Sequence, residues 1–202
     1  MEAPVFQAGL ELRAAGDGTR RLKGSFPYGS LAVVHAGGNG QRPRKEQFAS
    51  KAFSFAVEDL TRDVHLLIGH SFDRPLASRS ARTLILSDGD DALDFEAILT
   101  PDILRTTWAQ DFVAAFAAGL IGGVSPGFRV APADVVPKPE ETTDEDPAQG
   151  DALIRTIFAD ILFELSMVTR PAYPATRADL RAFDPAPGLI MPPANALRRW
   201  RP

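Results

Sequence analysis

The chain has 202 residues, of which 45% are hydrophobic and 24% are charged, and its formal net charge is -4 at pH 7. This length can build one substantial core and the composition is ordinary for a soluble globular protein, so a single domain is the first expectation. The negative charge balance gives no support to general nucleic-acid binding. The absence of cysteine excludes a disulfide framework, a thiol nucleophile and cysteine-ligated metal sites.

Strand-like patterns dominate the first half of the chain. Residues 5–13 and 21–35 contain short apolar runs that Gly and Pro separate. Residues 48–60 carry apolar side chains at helical spacing, which predicts a helix. Residues 64–68 form a compact apolar run that predicts a strand, and residues 82–99 have the pattern of a β-hairpin with an acidic turn.

The second half alternates between helical and extended patterns. Thr100-Pro101-Asp102 is a strong helix start, and apolar residues follow at helical spacing until Gly122-Gly123. Residues 124–130 and 153–168 are strand-like. No apolar run is long enough to span a bilayer, and the N-terminus lacks the pattern of a signal peptide, so we expect a soluble protein.

Two further segments shape the expected domain organisation. Residues 132–151 are acidic and Pro-rich, which predicts a flexible insertion between two strands of a single domain over residues 1–184. Residues 185–202 form a Pro/Arg-rich tail that we expect to be poorly ordered. The basic cluster Arg42, Arg44 and Lys45 lies beside Gly and Pro and is interpreted as a solvated loop.

Ser125 lies within the glycine-rich segment 122–128. Glycines on both sides leave room for a substrate carbonyl and free backbone N–H groups to stabilise an oxyanion. The Gly-x-Ser-x-Gly spacing occurs in nucleophile elbows, but here it runs from a helix into a strand rather than from a strand into a helix. The alternative interpretation is a structural turn.

Histidine and carboxylate candidates are few. Among three histidines, His70 follows a buried strand, where a general base would be both held and accessible, although a structural role is the alternative. His65 is expected to be a packed or edge residue and His35 to face solvent. Glu164 lies in an apolar run, so it needs either solvent or a specific partner such as a histidine N–H.

Together these segments resemble the bacteriophage prohead protease family, the capsid-maturation serine peptidases related to herpesvirus assemblins. The resemblance rests on motifs in a fixed order: Glu46-Gln47-Phe48 through Ala52-Phe53, His70 followed by Pro75-Leu76, the segment Gly123 to Phe128, and a final Glu-x-Ser-x-Val-Thr-x-Pro-Ala segment. The last motif is matched by Glu164, Ser166, Val168, Thr169, Pro171 and Ala172.

The resemblance implies roles for particular residues. Ser125 is similar to the family's nucleophile and His70 to its general base. Glu164 is the expected third member, with Asp160 as the reserve candidate, or the site is a dyad. A second histidine, which the herpesvirus relatives use, is impossible because none follows Ser125.

The resemblance further implies a fold and a function. The expected fold is mainly β with flanking helices, an α+β arrangement around a closed herpesvirus-protease-like barrel. The expected function is a serine endopeptidase that cleaves the scaffolding segment of the major capsid protein, and itself, in the assembling prohead of a bacterial host's cytoplasm. No cofactor, metal, nucleic acid or membrane is expected, and a homodimer is allowed. The alternative is a catalytically silent assembly or scaffolding protein that retains the fold.

Overall fold

The computed structural model describes residues 5–7, 10–171 and 173, so the predicted tail over residues 185–202 lies outside the described residues. In chain order the strands are β1 (Val5–Gln7), β2 (Leu10–Ala14), β3 (Arg20–Pro27), β4 (Ala32–His35), β5 (Arg44–Phe48), β6 (His65–Ile68), β7 (Ser71–Ser78), β8 (Leu84–Asp88), β9 (Ala92–Leu99), β10 (Gly123–Val130), β11 (Glu140–Asp144), β12 (Leu153–Ile157) and β13 (Asp160–Val168). The helices are α1 (Ser54–Glu58), α2 (Pro101–Leu104) and α3 (Thr107–Ala117).

The fold is mainly β, with 47% strand against 12% helix, as expected. The strands form a five-stranded sheet in the order β1-β2-β3-β9-β8 and two four-stranded sheets in the orders β10-β13-β6-β7 and β11-β12-β5-β4. Within the described residues, the hydrogen-bonded ladders do not join these sheets into a closed barrel. The expected closed barrel is therefore not confirmed.

An aromatic cluster joins the three sheets. The Phe48 ring of β5 lies 5.3 Å from the Phe26 ring of β3 and 4.8 Å from the Phe128 ring of β10, between ring centroids. Phe53 and Tyr173 pack against the same Phe48 ring. Because one ring comes from each sheet, the hydrophobic core is shared rather than divided among separate layers.

The helices differ from the predicted ones. Instead of one helix over residues 48–60, Phe48 ends strand β5, and only the short helix α1 follows. The strand prevails because β5 pairs with both β4 and β12, which satisfies its backbone on both sides. Thr100 caps α2 as predicted, but Thr106 caps the separate helix α3, so the predicted long helix is divided in two.

The acidic segment 132–151 contains secondary structure that its composition did not predict. Strand β11 pairs antiparallel with β12 along all of its length. The basic cluster supplies counter-charges: Arg42 forms ion pairs with Asp144 and Asp151, and Lys45 pairs with Glu145. The basic cluster is therefore not the expected solvated loop: Arg44 and Lys45 begin strand β5, and Arg42 and Lys45 form ion pairs that hold the acidic segment to the sheet β11-β12-β5-β4.

The sheet β10-β13-β6-β7 brings the candidate site residues together. Strand β13 lies between β10, with which it runs antiparallel, and β6, with which it runs parallel. In this register Ser125 lies opposite Ser166, Gly127 lies opposite Glu164, and Ile68 lies opposite Met167. The turn after β6 therefore reaches the end of β13 that carries the Glu-x-Ser motif.

Candidate active site

His70 directly follows strand β6, as the sequence predicted, but it lies in a tight turn into strand β7 rather than at the start of a loop, and its backbone has an unusual conformation. Its φ angle is 60°, in the left-handed region that costs a non-glycine residue about 1 kcal/mol or more. The turn is tied to β13, because the Gly69 N–H donates to the Met167 carbonyl at 3.0 Å and the His70 N–H donates to Ser166 Oγ at 2.8 Å. About half of the His70 side chain, 49%, is exposed. The ring is thus anchored through its backbone and still accessible from solvent.

Glu164 is buried on β13 and contacts the histidine directly. Its Oε1 lies 2.7 Å from His70 Nδ1, and its Oε2 accepts a hydrogen bond of 2.6 Å from Ser166 Oγ. Only 4% of Glu164 is exposed, so these partners offset the free-energy cost of removing a carboxylate from water. A neutral His70 facing this carboxylate holds its proton on Nδ1, which leaves the Nε2 lone pair free to accept a proton.

Ser125 lies on β10, across the ladder from Ser166. It is 8% exposed. Side chains directly opposite each other in an antiparallel pair have Cβ atoms about 5 Å apart and share one face of the sheet. The Ser125 hydroxyl is therefore on the same face as Ser166 and Glu164. Among the described residues no hydrogen bond joins Ser125 Oγ to the His70 ring, a contact that often tightens only when substrate is bound.

The glycines around Ser125 have a different role from the expected one. A Cβ at Gly127 would overlap Glu164 Oε1 and lie 2.7 Å from its Cδ, and a Cβ at Gly122 would overlap the Thr169 carbonyl oxygen. The Gly122 N–H is also occupied, because it donates to the Val168 carbonyl at 2.8 Å. These two glycines thus let β13 and its carboxylate approach β10; they do not create space for a substrate.

The structure separates Asp160, the reserve candidate, from His70. Asp160 begins β13 opposite Val130, at the far end of the ladder from Ser125. It is fully buried, and neither carboxylate oxygen has a hydrogen-bond partner among the described residues. Burial, with a smaller contribution from the negative charge of Asp88, raises the pKa of Asp160 to about 8.

The other two histidines make contacts of their own. His65 Nε2 lies 3.5 Å from Asp63 Oδ2, and the His65 ring packs edge-on against Phe72. His35 Nδ1 accepts a hydrogen bond of 3.1 Å from the Gly37 N–H. His65 lies opposite Glu164 in the β6–β13 ladder. Among the described residues, however, neither of these two imidazole rings forms a hydrogen bond or ion pair with Ser125 or Glu164.

Ser166 is the residue of this site to which sequence analysis assigned no role. Its signal was the two-residue spacing from Glu164, which places both side chains on one face of a strand. Among the described residues no group of three or more His, Asp or Glu side chains is arranged to hold a metal ion. Nor does the described part of the chain contain a helix that is long and apolar enough to cross a membrane.

A hydroxyl and a carboxylate on paired strands, with an imidazole in the adjoining turn, are the residue types of a serine hydrolase. The family model described as caudovirus prohead serine protease matches residues 34–187 of the 202. The match covers more than half of the chain, so the chain belongs to this family of bacteriophage proteases that act in capsid maturation. The resemblance inferred from the motifs is thereby confirmed. No curated protein and no solved structure gives a significant match to the chain.

Proposed function

We propose that this chain is a serine endopeptidase that removes the scaffolding segment of the major capsid protein during prohead maturation and also cleaves itself. Family membership supports the class of enzyme. The observation that carries the assignment of residues is the 2.7 Å contact between His70 Nδ1 and Glu164 Oε1, on the strand directly beside that of Ser125. In this proposal Ser125 is the nucleophile, His70 the general base and Glu164 the orienting carboxylate.

The first half of the reaction forms an acyl-enzyme. Ser125 Oγ attacks the carbonyl carbon of the scissile peptide bond while His70 Nε2 takes the hydroxyl proton. Glu164 holds the ring in the tautomer that leaves Nε2 free, and its charge stabilises the imidazolium that forms. The tetrahedral intermediate then collapses: the C–N bond breaks, and His70 returns the proton to the departing amine.

The second half repeats these steps with water. His70 removes a proton from a water molecule that attacks the acyl carbon, and the proton then passes to Ser125 Oγ as the C–O bond to the enzyme breaks. Backbone N–H groups of the segment around Ser125 stabilise the oxyanion in both halves. Gly122 and Pro126 are not among these donors, since the Gly122 N–H bonds to Val168 and proline has no N–H.

The partners follow from the family. A protease of the prohead acts on capsid proteins, so we propose the major capsid protein and the chain itself as substrates. The place of action is the interior of the assembling prohead in the cytoplasm of the bacterial host. Cleavage of one copy by another brings two chains into contact, so we also propose a homodimer.

Co-expression with the cognate capsid protein tests the proposal. Ser125→Ala and His70→Ala should each leave the capsid precursor uncut, because each removes a group that forms or breaks a bond. The matched controls are Ser87→Ala and His35→Ala, which alter exposed residues of β8 and β4. Both controls should process the precursor at the rate of the unaltered chain.

Labelling with a serine-reactive phosphonate tests the nucleophile separately. Mass spectrometry should find the adduct on Ser125 in the unaltered chain and in Ser87→Ala, and no adduct in Ser125→Ala. Processing by both the Ser125→Ala and His70→Ala chains would show that the assignment is wrong. An unaltered chain that is folded but neither labels nor processes would instead identify a silent assembly protein.

A further inference from the structure

Ser166 lies between His70 and Glu164 and forms a hydrogen bond with each of them. It is fully buried on β13, directly opposite Ser125 and two residues after Glu164. Its hydroxyl accepts a hydrogen bond of 2.8 Å from the His70 N–H and donates one of 2.6 Å to Glu164 Oε2. One side chain therefore connects the backbone of the histidine with the carboxylate that contacts the same histidine's ring.

The direction of these two hydrogen bonds is fixed by chemistry. An ionised carboxylate can only accept, so the single hydroxyl proton of Ser166 points to Glu164 Oε2. A backbone N–H can only donate, so a lone pair of Ser166 Oγ receives the His70 N–H. No other orientation of the hydroxyl satisfies both neighbours.

Both bonds restrict motion that would separate His70 from Glu164. With Oε1 facing His70 Nδ1 and Oε2 held by Ser166, the Glu164 carboxylate cannot rotate without losing a partner. The bond to the His70 N–H holds a residue whose φ of 60° would otherwise relax toward the commoner negative values. Without the hydroxyl, a buried carboxylate oxygen and a backbone N–H would both lose a partner.

We propose that Ser166 is a positioning residue of the protease: its hydroxyl fixes the His70 backbone and the Glu164 carboxylate together, so that the imidazole is held ready to accept the Ser125 proton. This inference rests on the proposed function. It assigns to Ser166 an effect on the rate of acylation rather than on substrate affinity, because Ser166 is fully buried and reaches the reaction only through His70 and Glu164.

Three substitutions at Ser166 distinguish the effect of losing the hydroxyl group from the effect of changing the side-chain volume. Ser166→Thr keeps the hydroxyl and adds a methyl group; Ser166→Val has the same shape as the threonine but no hydroxyl. Ser166→Ala removes the oxygen without adding bulk. For each variant, phosphonate labelling of Ser125 gives a rate constant and a half-saturation concentration. Cleavage of a peptide that spans a capsid processing site gives kcat and KM.

We expect the labelling rate constant and kcat of the valine and alanine variants to fall by about 10- to 100-fold, which is less than the full contribution of a general base. Half-saturation and KM should change little, and the threonine variant should recover most of the rate. End-point labelling gives the fraction of folded, competent sites, so a loss of folding is measured separately from a loss of rate.

Two outcomes would overturn the inference. Equal rates for the threonine and valine variants would show that Ser166 matters for packing alone, and an alanine variant with the unaltered rate would show that the hydroxyl does not matter. Failure of the proposed function gives different results: either Ser125→Ala still cleaves the peptide, or the folded unaltered chain neither labels nor cleaves it, whatever happens at Ser166.

Discussion

At the scale of single residues, the site depends on a buried carboxylate whose two oxygens have different partners. Glu164 Oε1 contacts His70 Nδ1, and Oε2 is held by Ser166. The charge on Glu164 is tolerated inside the fold because both oxygens are engaged. Replacing the carboxylate by a neutral amide of the same size therefore separates its charge and acceptor properties from its volume.

Glu164→Gln should slow cleavage by about 10²- to 10⁴-fold without abolishing it. An amide NH₂ facing His70 Nδ1 would stabilise the tautomer with the proton on Nε2, and that tautomer cannot accept the Ser125 proton. Steady-state kcat on a processing-site peptide measures the effect. Asp160→Asn, on the same strand, is the control and should cleave at the unaltered rate; a slow Asp160→Asn beside a fast Glu164→Gln would reverse the assignment of the third member.

Asp160 should instead govern how stability depends on pH. In the folded chain its pKa is raised to about 8, whereas an unfolded Asp titrates near 3.9. Between these two values the folded chain holds one more proton than the unfolded chain, so its stability falls as pH rises. The expected slope from this residue is about 1.4 kcal/mol per pH unit, ending near pH 8.

Asp160→Asn should remove this slope and make the protein more stable at pH 7 than the unaltered chain. Urea unfolding at pH 5, 6, 7 and 8 gives the free energy of unfolding at each point. Asp111→Asn on α3 changes the same charge at an exposed position and should keep the slope. Equal pH dependence in the Asp160→Asn and unaltered chains would contradict the prediction.

At the scale of elements, the pairing of β10 with β13 explains what the sequence could and could not predict about the site. The strand before His70, the strand around Ser125 and the apolar strand at Glu164 were all predicted from local patterns, whereas strand β7 directly after His70 was not. Their order in the sheet was not, because strand neighbours depend on contacts between distant segments. Gly127 was expected to leave room for a substrate, and its close contact with Glu164 was not predicted for the same reason, since the two residues are neighbours only across the ladder.

Gly127→Ala should reduce cleavage about as strongly as Glu164→Gln. The added Cβ would overlap the Glu164 carboxylate and push it away from His70, and overpacking of this kind destabilises a fold by about 1–3 kcal/mol. Peptide cleavage and thermal unfolding are measured together. Gly16→Ala is the matched control, because a Cβ at Gly16 meets no atom within 4 Å. If Gly127→Ala cleaves normally, the close approach of the two strands is not needed for activity.

At the scale of the whole molecule, three sheets depend on one aromatic cluster. Phe48 is 1% exposed, and it contacts rings from β3 and β10 as well as Phe53 and Tyr173. The mainly β fold that the family resemblance implied is confirmed, and sequence patterns predicted several of its strands. They placed Phe48 in a helix, however, because its spacing from Ala52 and Phe55 fits a helix and the partners that hold it in β5 are remote in sequence.

Phe48→Ala should lower the free energy of unfolding by about 3–5 kcal/mol, since it leaves a cavity where all three sheets meet. Equilibrium unfolding in urea provides the measurement. Phe72→Ala removes the same ring from a position that is 60% exposed and should change stability far less. Similar losses for the two variants would show that the cluster does not join the sheets energetically.

The parallel pairing of β6 with β13 has a consequence for when the protein becomes active. His65 and Glu164 are partners in this ladder although they are 99 residues apart in sequence (164 minus 65). During synthesis His70 and Ser125 are added to the chain before Glu164, and pairings between such distant segments form late in folding. On the proposed chemistry, a nascent or half-folded chain lacks the carboxylate that orients His70 and therefore cleaves slowly. The full rate of proteolysis is therefore expected only after β13 has joined β6 and β10 in the central sheet.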